Sequence, residues 1–473
     1  MSTSDVQDVL DLLEGSVSYT DGVVTIKDEG VLRHNIHRLA EVSALETGPR
    51  QGMARYLVRL IAQALGAYPA SINELYMARG RGEVPANFTV PAINLRAMSF
   101  DAAGSVFRAA LAIDAAAMIF EIARSEMGYT DQRPAEYVTS VLAAAIKEGY
   151  QGPVFIQGDH FQVSAKRYKT DAEAEIDAVK ELIREAIAAG FYNIDIDTST
   201  LVDLSKDTIK DQQTLNTSLS AMFTAYIRSL EPKDCFISIG GEIGEVGGHN
   251  STEEELRAYM DGYLEELGKL ASGVCGISKI SIQTGTSHGG VVLPDGTIAK
   301  VSVDFDTLKR LSGVARDEYG MGGAVQHGAS TLPEDAFGKF VESEAVEVHL
   351  ATNFQNMLFD RLPEDLKARI YTYLDEKSAA DRKPDMTSEQ FYYKTRKNAI
   401  GVFKRDTWNM DPGKKDEIRW AWEAQFLKLF KLLGLNGTRK YVEQTIQPVA
   451  VKPSLKFYMG EAVMEEDVSD LAD

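Results

Sequence analysis

From Thr89 onward, short apolar strand-like runs alternate with longer amphipathic stretches, and this alternation limits the fold more than any other feature of the chain. The runs are Thr89–Leu95, Ala115–Ala123, Gly152–Asp159, Phe191–Asp197, Cys235–Ile243, Ile277–Thr284, Met321–Gln326 and Val346–Leu350. Stretches of helical periodicity separate them, among them Pro134–Glu148, Asp171–Ala189, Gln213–Leu230 and Glu253–Lys269. Such a pattern predicts parallel strands joined by helical crossovers. Eight strands over about 265 residues match the ~250 residues typical of a closed eightfold barrel. An open doubly wound sheet would want a glycine fingerprint after its first strand, and Ile93-Asn94-Leu95-Arg96 is not one. The expected fold class is therefore α/β, an eightfold (β/α) TIM barrel over residues 89–360. A mainly helical extension is expected over 1–88 and a helical one over 361–473.

In such a barrel the chemistry sits at the carboxyl ends of the strands. Of the seven histidines, His160, His249, His288, His327 and His349 lie at or just beyond an inferred strand end. Carboxylates join them: Asp159 after the third run, Asp197 after the fourth, Glu242 and Glu245 after the fifth. The third run, Gly152-Pro153-Val154-Phe155-Ile156-Gln157-Gly158-Asp159-His160-Phe161, ends in an acid and an imidazole side by side. A single histidine is more often a hydrogen-bonded core residue. Three at separate strand ends favour a metal, and neutral imidazoles with an open fourth position suit Zn²⁺ as a Lewis acid.

Charge narrows the partners. Asp plus Glu number 70 against 50 Lys plus Arg, a net charge of −20. That surface repels phosphate backbones, so no nucleic-acid partner is expected, and an anionic substrate needs a local patch or a metal. No apolar run reaches the ~20 residues of a membrane span, and Met1-Ser2-Thr3-Ser4-Asp5 carries no basic-then-apolar signal. With only Cys235 and Cys275, a reduced, cytoplasmic protein is expected.

Five motifs occur in one order: Gly158-Asp159-His160, Ile196-Asp197-Thr198-Ser199, Glu242-Ile243-Gly244-Glu245-Val246-Gly247-Gly248, Gly285-Thr286-Ser287-His288-Gly289 and His327-Gly328-Ala329-Ser330. Together they resemble the class II, metal-dependent ketose-bisphosphate aldolases, over roughly Pro91 to Asn353. The resemblance implies the eightfold barrel, zinc, and a lyase. Its reaction would be reversible cleavage of fructose 1,6-bisphosphate to dihydroxyacetone phosphate and glyceraldehyde 3-phosphate, through an enediolate. It implies that His160, His288 and His327 ligate the metal. Glu242 and Asp197 would form the nearby carboxylate shell or hold a second cation, divalent or monovalent. Asp159 would exchange a proton with the C4 oxygen. Gly289, Gly328 and Ser330, with Thr352 and Asn353, would cradle the ketone-side phosphate. Arg396, in Tyr392-Tyr393-Lys394-Thr395-Arg396, would reach the far phosphate, often from a neighbouring subunit.

The chain departs from the family pattern in three places. His349 stands where the family carries an asparagine that contacts the enediolate, so His349 is expected to take over that contact. The family's long loop after Gly-Gly, with its proton-moving glutamate, is short here, leaving His249, Glu253 and His349 as candidate bases. Ala329 replaces the second glycine of His-Gly-Gly-Ser. Tagatose bisphosphate, another ketose phosphate, or an epimerase using the same chemistry stay open as alternatives, as does a non-catalytic structural subunit. The aromatic stripe Trp420, Trp422, Phe426, Phe430 predicts helix packing against the barrel or a second subunit, and the large extensions predict a homo-oligomer, dimer or tetramer.

Overall fold

In a computed structural model, which describes residues 3–244, 249–285, 293 and 302–460, eight parallel strands close into a barrel. They are β1 (Val90–Asn94), β2 (Ile119–Ala123), β3 (Gly152–Gln162), β4 (Asn193–Asp197), β5 (Ser238–Glu242), β6 (Lys279–Ile282), β7 (Ala324–Gln326) and β8 (Glu347–Leu350). Each overlaps one of the eight runs read from the sequence. The ring closes where β8 pairs with β1, Val348 opposite Pro91 and Leu350 opposite Ile93. All strand residues but Gly152 are buried, because crossover helices cover one face and the lumen fills the other.

The helices start and stop where local chemistry dictates. Pro134 opens the helix Pro134–Glu148, and Gly149, at φ 73°, ends it in a left-handed turn. Asp171 caps Ala172–Ala189 by accepting from Ala174 N, and Gly190 closes it at φ 117°. Thr252 and Glu255 form a reciprocal capping box at the start of Glu253–Leu270.

A bulge in β3 sets the site. Neighbouring residues on a regular strand face opposite sides, so Asp159 and His160 would not share the lumen. The pairing of β3 with β4 shifts register between Gly158 and Phe161, and His160 takes φ 39°. At Gly158, a Cβ would lie 2.3 Å from the Phe161 ring, so only glycine permits this fold of the strand.

The N-terminal extension begins with helix Thr3–Asp11 and the antiparallel hairpin Val17–Thr20/Val23–Ile26, then helices Glu29–Leu45 and Pro49–Ala64. A ninth strand, Ala67–Ala70, joins the barrel sheet alongside the first half of β3, Ala67 opposite Gly152 and Ala70 opposite Phe155. Fully buried Asn193 fastens it: its Nδ2 donates to Ala70 O (3.1 Å) and Ile156 O (3.0 Å), and its Oδ1 accepts from Ile72 N (2.8 Å). Residues 67–80, which the sequence groups with the extension, thus lie against the barrel wall and floor. In the C-terminal extension, helix Pro412–Leu432 packs on Ser99–Leu111. Trp422, Phe426 and Phe430 are buried there, and Trp422 Nε1 donates to Phe354 O at 3.1 Å. Each such ring contributes about 1.5–3 kcal/mol by leaving water. Trp420 is 68% exposed and lies off this packed face.

Candidate active site at the carboxyl rim

Beneath the rim, β2, β4, β6 and β8 send Glu121, Asp195, Lys279 and Glu347 into the lumen, one layer drawn from alternate strands. Such layers are ordinarily branched aliphatics, so four charges need close pairing. They have it. The three donors of the Lys279 ammonium meet Glu347 Oε1 (2.5 Å), Gln157 Oε1 (2.7 Å) and Asp195 Oδ2 (2.9 Å). Gln157 Nε2 bridges Glu347 Oε1 (2.9 Å) and Glu121 Oε2 (3.0 Å). On β5, Gly240 makes the room: a Cβ there would lie 2.4 Å from Asp195 Oδ1.

One layer higher, the β3 bulge brings in Asp159 and His160, the end of β7 delivers His327, and β8 delivers His349. His160 Nε2 lies 3.1 Å from His327 Nδ1. The outward nitrogens are engaged elsewhere. His160 Nδ1 faces Asp197 Oδ2 (3.2 Å) and Glu242 Oε2 (3.3 Å), while His327 Nε2 meets Ser281 Oγ (2.9 Å). Asp197 is steadied in turn by Gln162 Nε2 (2.6 Å) and Ser199 Oγ (2.7 Å). His349 packs against His327, ring centres 3.9 Å apart and planes tilted by 39°. Its Nε2 is 2.7 Å from Glu347 Oε1, and its Nδ1 is 3.1 Å from Glu121 Oε1 and 3.2 Å from Asp159 Oδ1. Asn94 Nδ2 donates to both Asp159 Oδ2 (3.0 Å) and Glu121 Oε1 (3.2 Å).

These charges shift one another. Burial raises Glu121 to about 8, and the neighbouring Asp159 adds to it. Burial, helped by Asp197, raises Glu242 to about 7. Burial pulls Asp159 upward too, but His160 and His349 outweigh it and hold the carboxyl well below the usual carboxylate range. Glu347 likewise falls to about 2, Lys279 and His349 overcoming its burial. Burial opposes a charge on His349, yet Glu121 and Asp159 raise its imidazole well above the ordinary value.

The donor set fits a divalent cation of the zinc type. His160, His327 and Glu242 offer two nitrogens and an oxygen within 4.8 Å of one another, and Asp159, His327 and His349 form a second such group. Asp197 holds His160 Nδ1 and Ser281 holds His327 Nε2, the arrangement in which an outer partner orients a metal-ligating histidine. Asp159 Oδ1 and His349 Nδ1 are buried with no aligned hydrogen-bond partner, and both point to a site made for something further.

A cavity opens above this cluster. Its lining includes Arg96, Asp159, His160, His327, Gly328, Ser330, His349 and Thr352. Of the residues singled out in the sequence, His160, His327, Glu242 and Asp197 converge, and Asp159 and His349 sit beside them. Gly328 (φ 69°), Ser330 and Thr352 line the cavity, whereas Asn353 lines a neighbouring one that shares Ser330. His288 and Gly289 lie outside the described residues. His249 is exposed, its Nε2 2.7 Å from Glu255 Oε1, and Glu253 pairs with Arg257 at 3.0 Å; neither lines the cavity. Arg396 is buried between the rings of Phe359 (4.9 Å) and Tyr393 (4.4 Å) and donates to Asn356 Oδ1, away from the cavity. The cavity's guanidinium is Arg96 instead, its Nε 2.6 Å from Glu126 Oε1. Arg96, Glu121, Asp195, Lys279 and Glu347 lie outside the motifs that mark the site in the sequence. The signal was there for the last four: a charge in the middle of an apolar strand run, as in Ile119-Phe120-Glu121-Ile122-Ala123.

Residues 85–406 match the family model described as fructose-bisphosphate aldolase class-II. No curated protein sequence is matched significantly. Among solved structures, the native fructuronate-tagaturonate epimerase UxaE from Cohnella laeviribosi is similar over 92% of this chain and 100% of that one, at 11% identity and TM-score 0.55. The fructose-bisphosphate aldolase Fba from Campylobacter jejuni is similar over 79% and 96%, at 17% identity and TM-score 0.45. The YdjI aldolase from Escherichia coli K12 is similar over 78% and 99%, at 13% identity and TM-score 0.45. At these identities the likeness is one of fold.

Proposed function

This chain belongs to the class-II fructose-bisphosphate aldolase family, and on that premise we propose that it cleaves fructose 1,6-bisphosphate reversibly to dihydroxyacetone phosphate and glyceraldehyde 3-phosphate, with zinc as its metal. One observation carries the reading. Two buried imidazoles face each other across 3.1 Å, each braced from behind, with the Asp159 carboxylate beside them at the carboxyl rim. In this reading His160, His327 and His288 hold the cation, and Glu242 and Asp197 orient them or take a second ion. When bound, the cation supplies Lewis-acid stabilisation to the charge left on the ketose oxygens as the C3–C4 bond breaks.

The chain's own groups do the rest. Asp159, held anionic, takes the C4 hydroxyl proton as the bond electrons move to C3, and returns it in the condensation direction. His349 contacts the enediolate through Nδ1, the edge it turns toward Asp159. For the proton delivered to C3, His349 is the best placed of the three candidates, since His249 contacts Glu255 and Glu253 pairs with Arg257 outside the cavity. Gly328, Ser330 and Thr352, with Gly289 and Asn353, form the cradle for the ketone-side phosphate. The far phosphate falls to Arg96, on the cavity wall; Arg396 would first have to leave its aromatic slot. A cytoplasmic homo-oligomer completes the proposal.

A second reading is an epimerase that rebinds the aldehyde on its other face before release. The likeness to UxaE, which extends through both extensions rather than the barrel alone, favours keeping it. The test is a panel of ketose bisphosphates, ketose phosphates and uronates, with and without chelator, followed for free aldehyde and for the C4 epimer. Chelator-sensitive aldehyde release from fructose or tagatose bisphosphate supports the aldolase; epimer without aldehyde supports the second reading. A protein that takes up no metal on reconstitution leaves only a structural subunit.

A further inference from the structure

The charged layer under the site is tied to a residue that belongs neither to the eight strands nor to the matched span 85–406. Glu347 is fully buried. Its Oε1 receives Lys279 Nζ, Gln157 Nε2 and His349 Nε2, and its Oε2 accepts the hydroxyl of Tyr76. Tyr76 sits on the helix Asn73–Gly80, in the N-terminal extension. That helix is bolted to the strand it serves. Its Arg79 donates to Glu344 O (3.0 Å) and Ala345 O (3.1 Å), just before β8, and also to Phe88 O, just before β1. Tyr76 itself packs on the Gly322 backbone, where a Cβ would come within 2.9 Å of the Tyr76 Cβ.

We propose that Tyr76 is a positioning residue for the site, holding Glu347 from below so that Glu347 fixes His349. A carboxylate gripped at one oxygen alone can rotate about its last bond. With Tyr76 on Oε2 and Lys279 on Oε1, both oxygens are pinned and the plane is set. The imidazole then has one orientation, Nε2 down on Glu347 and Nδ1 toward Asp159 and Glu121. Removing the phenol hydroxyl frees the plane and leaves Oε2 buried without its donor. The N-terminal extension is in this way part of the catalytic apparatus. The inference rests on the proposal that His349 acts at the substrate, and the experiment separates the two.

The variant is Tyr76→Phe, which deletes one oxygen, made in the full-length, metal-loaded protein. Tyr263→Phe, whose hydroxyl on the helix Glu253–Leu270 meets Thr224 Oγ1 at 2.9 Å and none of the layer's side chains, is the control. For Tyr76→Phe, kcat falls ~10- to 100-fold, the range for one hydrogen bond to a charged group, while KM and metal content hold. The ring resonances of isotope-labelled His349 shift, and they do not in Tyr263→Phe. Combined with Glu347→Gln, Tyr76→Phe adds no further loss. Wild-type kcat with unshifted His349 resonances overturns the proposal, and so does full additivity with Glu347→Gln. If the wild-type protein turns over no ketose at all, the aldolase reading fails, but the His349 resonances still decide whether Tyr76 governs its orientation.

Discussion

The rim and the floor of this barrel are both built from buried ionisable residues, and they differ in how far those residues satisfy one another. On the floor, all three N–H donors of Lys279 have an acceptor and Glu347 is contacted at both oxygens, and of the four charged groups only Asp195 Oδ1, against Gly240, lacks a hydrogen-bond partner among the described residues. On the rim, Asp159 Oδ1 and His349 Nδ1 lie 3.2 Å apart without an aligned partner, and two imidazole nitrogens confront each other. A network of buried charges with nearly every donor and acceptor paired rigidifies a fold. A partly satisfied one, braced from beneath, is what a ligand completes. On the proposed function, the difference separates residues that hold the structure from those assigned to the chemistry, though both are buried and ionisable.

Substitutions put that division at risk. His327→Ala should bring the largest loss, turnover down by about 10³-fold or more as several kcal/mol of charge stabilisation go with the metal; metal analysis beside the assay checks it. Asp159→Asn should lower kcat by about 10²–10⁴-fold with metal content retained, the size of a lost general acid–base group. A metal-free Asp159→Asn protein would move Asp159 into the ligand set. On the floor, Lys279→Met should destabilise by roughly 3–5 kcal/mol in urea unfolding, because Asp195 and Glu347 are left buried without their cation. If it unfolds like wild type, the floor is not the structural half.

Two weaker effects sharpen the contrast with the shell outside. Burial lifts Glu136 from 4.5 to about 7, against the pull of Lys404 and Arg55. The folded state therefore binds a proton more tightly than the unfolded chain between those values. The stability this gives is full below pH ~4.5 and is lost as pH rises through ~7. Glu136→Gln should flatten that decline in unfolding measured across the range. Last, burial pushes the Cys235 thiol up to about 12, while Cys275 is exposed. One thiol per native chain should react readily with a disulfide reagent, and two after denaturation.

Much of this was legible in the residues. Parallel strands covered on both sides read as short apolar runs, which is why all eight were found. Asp159, His160, Asp197, Glu242 and His327 stand out in the sequence as metal-type residues at strand ends, and the fold brings their side chains together. The ninth strand was not legible: Ala67-Tyr68-Pro69-Ala70 is short, holds a proline, and gains strand geometry only from β3 beside it. Nor is the clamp of Arg79 legible, since the three carbonyls it holds, of Phe88, Glu344 and Ala345, are brought to it only by the folded barrel. Arg396 carries no sequence mark of its aromatic slot, since Phe359 lies on a different helix.

The turned backbone at His160 has a consequence for anyone redesigning this pocket. A left-handed residue inside a strand tolerates asparagine or aspartate, and glycine most easily, but a β-branched replacement is a steric outlier. His160→Asn is therefore the gentle way to delete the imidazole, whereas valine or isoleucine would pull the strand straight and turn Asp159 out of the pocket with it. Directed evolution that randomises position 160 should return a narrow palette, chosen by the main chain before any substrate is offered.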